Sequence, residues 1–277
     1  MRGTKTRWMT CAAVIAVLGA GTAGGMVSAA AASTASTGTV RHAVTRVTSA
    51  TVNFTVSVTG LTPSAVTITG TGAADFTDDA VSLTIDLPGV VAELIPGGSD
   101  APEVVDAVLS GGTVYLDIPS LASLVGEPWI SVALPTQITS AVPGLFTKAA
   151  AALGDVDAVV ALATAHHATV TPLGSATVDG VPTTGTQIVA TFGPTGTGSL
   201  TASLWADSSD RLVQGDLTVT GAGKTGALGL TASVDVSNDD APVTITVPPS
   251  SQVKAIPFSV VAKLFGRDLH RGRHRNA

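Results

Sequence analysis

The sequence predicts a strand-rich α+β domain, on three observations. Apolar residues alternate with Thr, Ser and Asn through most of the chain, the period of strands that bury one face. One segment, Gln137 to Ala165, switches to three- and four-residue steps, the period of helices. Charged residues are only 12% of the chain against 45% hydrophobic, with Thr, Ser, Val, Ala and Gly abundant, which suits strands better than solvated helices.

Taken in order, residues 1–32 read as a secretory signal peptide. Arg2, Lys5 and Arg7 precede the apolar run Cys11 to Leu18, too short to span a bilayer, and small residues follow through Ser28 to Ala32. Cys11 is the only cysteine. It lies inside the apolar run rather than at the cleavage point, so no lipid anchor, disulfide or thiol chemistry is expected of the secreted chain. About 245 residues then remain, the size of one larger all-β or mixed domain. Residues 33–48, rich in Ser, Thr and Ala, read as a linker or a short leading helix.

Val52, Phe54, Val56 and Val58 alternate with polar neighbours until Gly60 and define the first strand. Val66 and Ile68 resume the pattern after Pro63, and a short strand continues through Ala74 and Phe76. After a turn at Asp78-Asp79, Val81, Leu83, Ile85 and Leu87 alternate again. Pro88 to Pro102 is a loop with room for one helical turn, and Val104 to Leu109 is a strand. Val114-Leu116-Ile118 and Ile130-Val132-Leu134 read as neighbouring antiparallel strands, joined by a loop carrying Pro119, Gly126 and Pro128. In the helical segment Pro143 and Gly154 break the pattern, so two helices are expected. Strands return at Ala168–Val170, Ala176–Val178 and, after a turn over Gly180 to Gly185, Gln187–Phe192. A hairpin follows, Leu200–Asp207 with Leu212–Thr220, then a long strand over Leu228–Val236 and a last one over Val243–Val247.

Charge and motifs narrow the function classes. Residues 41–250 hold 5 Lys/Arg and 19 Asp/Glu, a balance of −14, whereas residues 251–277 hold 6 and 1, a balance of +5. An acidic body disfavours nucleic acid as a partner. Gly221-Ala222-Gly223-Lys224-Thr225 ends like a phosphate-binding loop. Thr218 stands where the motif needs Gly, and a strand pattern follows instead of a helix, so a hairpin turn is expected. His166 and His167 are adjacent and cannot both face one metal from one side of a helix; a helix C-terminus is the better reading. Asn53-Phe54-Thr55 matches a glycosylation sequon inside a strand, which we read as chance. No Gly-x-Ser-x-Gly and no metal-ligand spacing occurs, so neither enzyme activity nor a cofactor or metal is expected.

The positive features are apolar strand faces. Such faces form an ordinary core, or a cleft suited to acyl chains, where each buried CH2 contributes roughly 0.8 kcal/mol. Periodicity alone leaves both open.

Five pieces, in order, carry a resemblance over roughly residues 45–253. They are Gly111-Gly112-Thr113-Val114-Tyr115-Leu116 with Pro119; Glu127-Pro128-Trp129; Val178-Asp179-Gly180-Val181-Pro182; Leu204-Trp205-Ala206-Asp207 with Arg211-Leu212; and Pro242-Val243 to Pro248-Pro249. Together they resemble the LppX/LprA/LprF/LprG envelope proteins of actinobacteria, which have a LolA-like fold. The resemblance implies a curved antiparallel half-barrel sheet with helices on its concave side, enclosing a hydrophobic cavity that carries acylated lipids or glycolipids. It implies a non-catalytic, monomeric carrier of the cell envelope, with a domain over 49–253. The alternative is a sensor or protein-interaction domain of the same fold, comparable to RseB-type regulators.

That family's cavity is lined by unremarkable aliphatics, so the lining is nominated by alternation: Phe54, Val56, Leu83, Ile85, Val114, Leu116, Leu145, Phe146, Leu153 and Leu204. Alternation leaves open which strand face lines the cavity, but Tyr115 lies opposite in parity to Val114 and Leu116, so one of the two sets must face away from it. Tyr115 and Trp129 are expected to be structural fixings. The tail, 254–277, departs from the family. Phe258, Val261, Leu264 and Phe265 would share one helical face beside Lys263, Arg267, Arg271, Arg273 and Arg275. We expect those cations to meet an anionic membrane in place of the missing acyl anchor; a disordered solubilising tail is the alternative.

Overall fold

The computed structural model describes residues 47–60, 64–93, 98–140, 142–165, 167–192, 198–223, 226–237 and 240–260. The signal-peptide reading, nearly all of the expected linker and the basic positions Lys263, Arg267, Arg271, Arg273 and Arg275 lie outside them.

Among the described residues the body is a single open sheet of twelve strands in the order β12-β6-β5-β4-β3-β2-β1-β11-β10-β9-β8-β7. Two antiparallel meanders compose it. The first runs β1 (Ser49–Thr59), β2 (Val66–Asp75), β3 (Ala80–Leu87), β4 (Glu103–Ser110), β5 (Thr113–Asp117) and β6 (Trp129–Ala133). The second runs β7 (Thr169–Val178), β8 (Val181–Phe192), β9 (Gly198–Ala206), β10 (Leu212–Gly223) and β11 (Gly226–Ser237). They join where β1 pairs with β11, from Thr51↔Ser237 to Thr59↔Gly229. β12 (Val253–Ala255) pairs with β6 in parallel. This is the α+β open half-barrel, not a closed barrel: its ends, β12 and β7, do not pair with each other.

Turn chemistry sets the register. Gly111-Gly112 and Asp179-Gly180 each place two consecutive residues at positive φ (56° and 74°; 47° and 82°). That is what a two-residue hairpin loop needs, and each pair is flanked directly by cross-strand partners, Ser110↔Thr113 and Val178↔Val181. β8 therefore starts at Val181, earlier than the Gly180 to Gly185 turn expected from the sequence. β7 runs through as one strand, with an irregularity between Pro172 and Gly174 where two separate strands were expected.

The sheet carries the α-helices α1 (Gly89–Ala92), α2 (Pro119–Val125), α3 (Thr136–Thr139), α4 (Val142–Gly154) and α5 (Val156–Ala165), a 3-10 turn at Ser250–Gln252 and helical residues at 258–260. α2 occupies the stretch read as a loop. Pro119 is its first residue, where a missing N–H costs nothing, and Gly126 ends it at φ 83°. The two-helix expectation for the middle segment corresponds to α4 and α5. Asp155 caps α5, accepting the Ala158 N–H at 2.8 Å, while the Val156 N–H reaches the Asp210 carbonyl at 3.0 Å. The helical pair is thereby pinned to the β9–β10 turn. Val243–Val247, expected as a strand, is not one, and the chain next joins the sheet at β12.

Candidate functional site: the aliphatic face of the sheet

Cross-strand register sorts every strand residue onto one of two faces. Val236, Val52, Gly72, Leu83, Ala107, Leu116 and Ile130 form one ladder across seven strands. A parallel ladder holds Val234, Phe54, Gly70, Ile85 and Val105. All of these lie on the face that α4 and α5 cover, because Leu153, Val156 and Val160 pack with Ala50, Val52, Val234 and Val236. The opposite face carries Thr51, Asn53, Thr55 and Ser57 from β1 and Thr67, Thr69 and Thr71 from β2. One hollow of about 320 Å³ is lined by Thr51, Asn53, Thr71, Ala73, Ser82 and Thr84 of that face together with Val52, Gly72 and Leu83.

The nominated residues divide accordingly. Phe54, Val56, Leu83, Ile85, Val114, Leu116 and Leu204 all point to the helix-bearing face, and Leu153 meets it from α4. Leu83 and Ile85 belong, with Val66, Ile68, Leu87, Val91, Val105 and Ala107, to a packed cluster at one side of the sheet, against which Phe54 and Leu116 rest. Leu153 and Leu204 rest against a second cluster built on Val47, Ala50, Val156, Ala206, Leu212 and Val236. Leu145 and Phe146 are in α4, but their side chains lie outside the described residues. Tyr115 pairs with Val108 and Ser131, and Trp129 with Asp117, on the polar face. Trp205 is on that face too, lying over Gly185, where an added Cβ would run into its ring.

Of the apolar surface lying outside both clusters, alternation nominated Val56 alone. One row runs Val56, Ala232, Leu217, Ala202, Ile188 and Val170 across six strands. The next runs Val58, Leu230, Val219, Leu200 and Ala190 across five. Val56, Val58 and Ile188 are buried, whereas Ala232, Leu217, Ala202, Leu230, Val219 and Leu200 are half-buried. At ~4.8 Å per strand, the longer row measures about 24 Å. Neither row contains a polar side chain. The signal was present, since the strand patterns over 200–207, 212–220 and 228–236 display these residues, but nothing local distinguishes a packed apolar position from a half-covered one.

The titratable groups with shifted proton affinity lie away from this surface. Asp117 is pushed above the usual carboxylate range by partial burial and, second, by Asp106, its cross-strand partner. Asp106 itself accepts the Thr84 hydroxyl at 2.6 Å. Asp240 is held below the usual range chiefly by the Thr48 backbone N–H at 2.7 Å. The Thr48 hydroxyl at 3.1 Å and the Arg211 guanidinium at 2.8 Å add to this, against an opposing contribution from burial. The Asp240 arrangement fastens Thr48 and Arg211 together, whereas Asp117 and Asp106 repel each other across the β4–β5 pair. Among the described residues no three His, Cys, Asp or Glu side chains converge as metal ligands.

No family model matches the chain, and no curated protein is similar to it in sequence. Solved structures align with it in part. The LppX lipoprotein of Mycobacterium tuberculosis aligns at 13% identity over 72% of this chain and 90% of that one, with a TM-score of 0.41. A LolA superfamily protein from Nitrosomonas europaea aligns at 12% identity over 73% and 88%, TM-score 0.27. MucA/MucB of Pseudomonas aeruginosa aligns at 12% over 74% of this chain and 54% of that one, TM-score 0.28.

Proposed function

We propose that the protein is a secreted, non-catalytic lipid-binding carrier of the cell envelope. It holds the acyl chains of a lipid or glycolipid between the helix-bearing face of the sheet and α4–α5. The observation that carries this reading is the pair of aliphatic rows outside both packed clusters. A bilayer's hydrocarbon core is ~30 Å thick, so one acyl chain spans about 15 Å of it, and a row of about 24 Å is long enough to take a whole chain. The rows offer apolar contact without a polar group to leave unpaired, which suits a ligand recognised by volume and apolarity. Phe54, Val56, Val114, Leu116, Leu145, Phe146, Leu153 and Leu204 would border the site. Leu83 and Ile85, seated in the first cluster, would support it from below.

Ala202→Trp tests this. Ala202 lies in the middle of the longer row, whereas its neighbour Thr201 faces the other side of the sheet. A fluorescent fatty acid offered to the purified protein should bind the parent and Thr201→Trp alike and bind Ala202→Trp at least tenfold more weakly, with melting temperature preserved. Equal binding by all three refutes the site. If Ala202→Trp instead melts earlier and nothing binds, the rows are ordinary core and the sensor or protein-interaction reading takes over.

We further propose that residues 1–32 direct secretion and that the tail cations Lys263, Arg267, Arg271, Arg273 and Arg275 hold the carrier at an anionic surface. The charge contrast within the chain, −14 against +5, supports the second point. Removing residues 255–277 should abolish sedimentation with phosphatidylglycerol vesicles at low salt; unchanged sedimentation contradicts it.

A further inference from the structure

The two edges of the sheet are treated differently. Beyond β6 the chain lays down its own C-terminal segment as β12, and the Ile256 N–H extends the pairing to the Ser131 carbonyl at 2.8 Å. At the other end β7 leaves ten residues of backbone with no strand beyond them among the described residues. Long edge strands are templates for further pairing and are usually blunted by charge. β7, with the sequence TVTPLGSATV, contains no charged residue, and neither do β8 or β9 behind it. Only Pro172 and the neighbouring irregularity interrupt the edge, and they leave Gly174 to Val178 beyond them. Around it stand three exposed aliphatic side chains, Leu162 of α5 (45% exposed), Leu173 (40%) and Val181 (38%).

The charge distribution selects the occupant. Elsewhere the strands carry Asp75, Asp86, Glu103, Asp106, Asp117, Asp216 and Asp235, so two copies of this acidic body repel each other over most of their surface. The β7–β9 strands carry none of these acids, and Asp179 stands only at the far end of β7, in the turn to β8, so this is where two copies can meet at the least such cost. We propose that β7 pairs antiparallel with β7 of a second copy about a two-fold axis, continuing the sheet from one molecule into the next. This departs from the monomer expected from the sequence and does not depend on the lipid reading.

The backbone indicates the register. The Ala176 carbonyl accepts the Thr183 hydroxyl at 3.2 Å, so it faces β8, and the outward-facing groups belong to Ser175 and Thr177. Those two residues would exchange N–H···O bonds with each other across the axis. Ala176 would then meet Ala176 of the second copy as a non-hydrogen-bonded pair, Cα atoms ~4.5 Å apart. That separation is within disulfide reach. The side chains between Gly174 and Val178 are small, and the strand contact alone is modest, so a weak, concentration-dependent dimer is expected.

Cys11 is the only cysteine in the sequence. The secreted chain carrying Ala176→Cys therefore has one thiol. Air oxidation should convert this variant to a disulfide dimer at least tenfold faster than Ser208→Cys, which places a thiol at an exposed turn. Sedimentation velocity on the parent should show the weight-average mass rising towards twice the monomer value as concentration approaches the order of 1 mM. Ser175→Lys with Thr177→Lys, both exposed positions, should hold it at the monomer value without lowering the melting temperature. Two results overturn the proposal. One is a parent that stays monomeric throughout. The other is a dimer in which the Ala176→Cys variant couples no faster than the Ser208→Cys variant and the two lysines change nothing.

Discussion

At the scale of single residues, proton affinities give two predictions of opposite sign. The carboxyl of Asp117 is raised by partial burial and by Asp106 opposite it, so the folded state binds its proton more tightly than the unfolded chain. Its contribution to stability therefore falls as pH rises from the unfolded value, about 4, through the raised one. Asp117→Asn should stabilise the protein at pH 7 by about 0.5 kcal/mol, the scale of like charges directly opposed on adjacent strands, with the gain shrinking in acid. Urea melts at pH 7 and pH 4 check both parts. Asp240 has a lowered affinity, so its contribution is complete above the unfolded value and is lost as pH falls through the folded one. Asp240→Ala should cost about 1 kcal/mol at pH 7, given its partial exposure, and progressively less in acid. The same titration checks it, and a cost that stays constant with pH contradicts the assignment. Size matters as well as charge. Gly70 lies beneath Phe54, and a Cβ there would sit 2.5 Å from its Cζ and from the Thr84 carbonyl oxygen. Gly70→Ala should therefore destabilise by about 1–3 kcal/mol.

Elements show what could be read in advance and why. The alternating runs over Val52–Val58 and Val81–Leu87 identified β1 and β3 because one face is apolar and the other is largely Thr and Ser. α2 was hidden in Pro119 to Gly126, where breakers at both ends resemble a loop until they are recognised as the N1 proline and the C-terminal glycine. In β7 and β8 the run Thr169 to Thr186 mixes polar residues with exposed aliphatics such as Leu173 and Val181 near a bare edge, so it lacks the one-sided burial that makes a strand legible. The apolar site suffered the reverse problem: its residues were legible as apolar, but whether a neighbour fills the space above them depends on how distant segments pack. The anchoring of the helical pair gives a prediction at this scale. Asp155→Ala removes the cap of α5 beside its bond to Asp210 and should cost about 1 kcal/mol. For a chain of this size that is a fall of about 2–4 °C in melting temperature.

Seen whole, the molecule is two meanders made into one sheet by the β1–β11 pairing. That contact joins residues far apart in the chain: the Thr51 and Ser237 hydroxyls meet at 2.9 Å across a separation of 186. It also sets the two packed clusters side by side on one face, with the aliphatic rows passing beside both. Native mass spectrometry of the protein isolated from its own cells tests the lipid reading most directly. The account predicts a protein peak accompanied by discrete adducts of acylated species, absent from Ala202→Trp and present in Thr201→Trp. A protein that arrives bare, and stays bare after incubation with an envelope lipid extract, would contradict it.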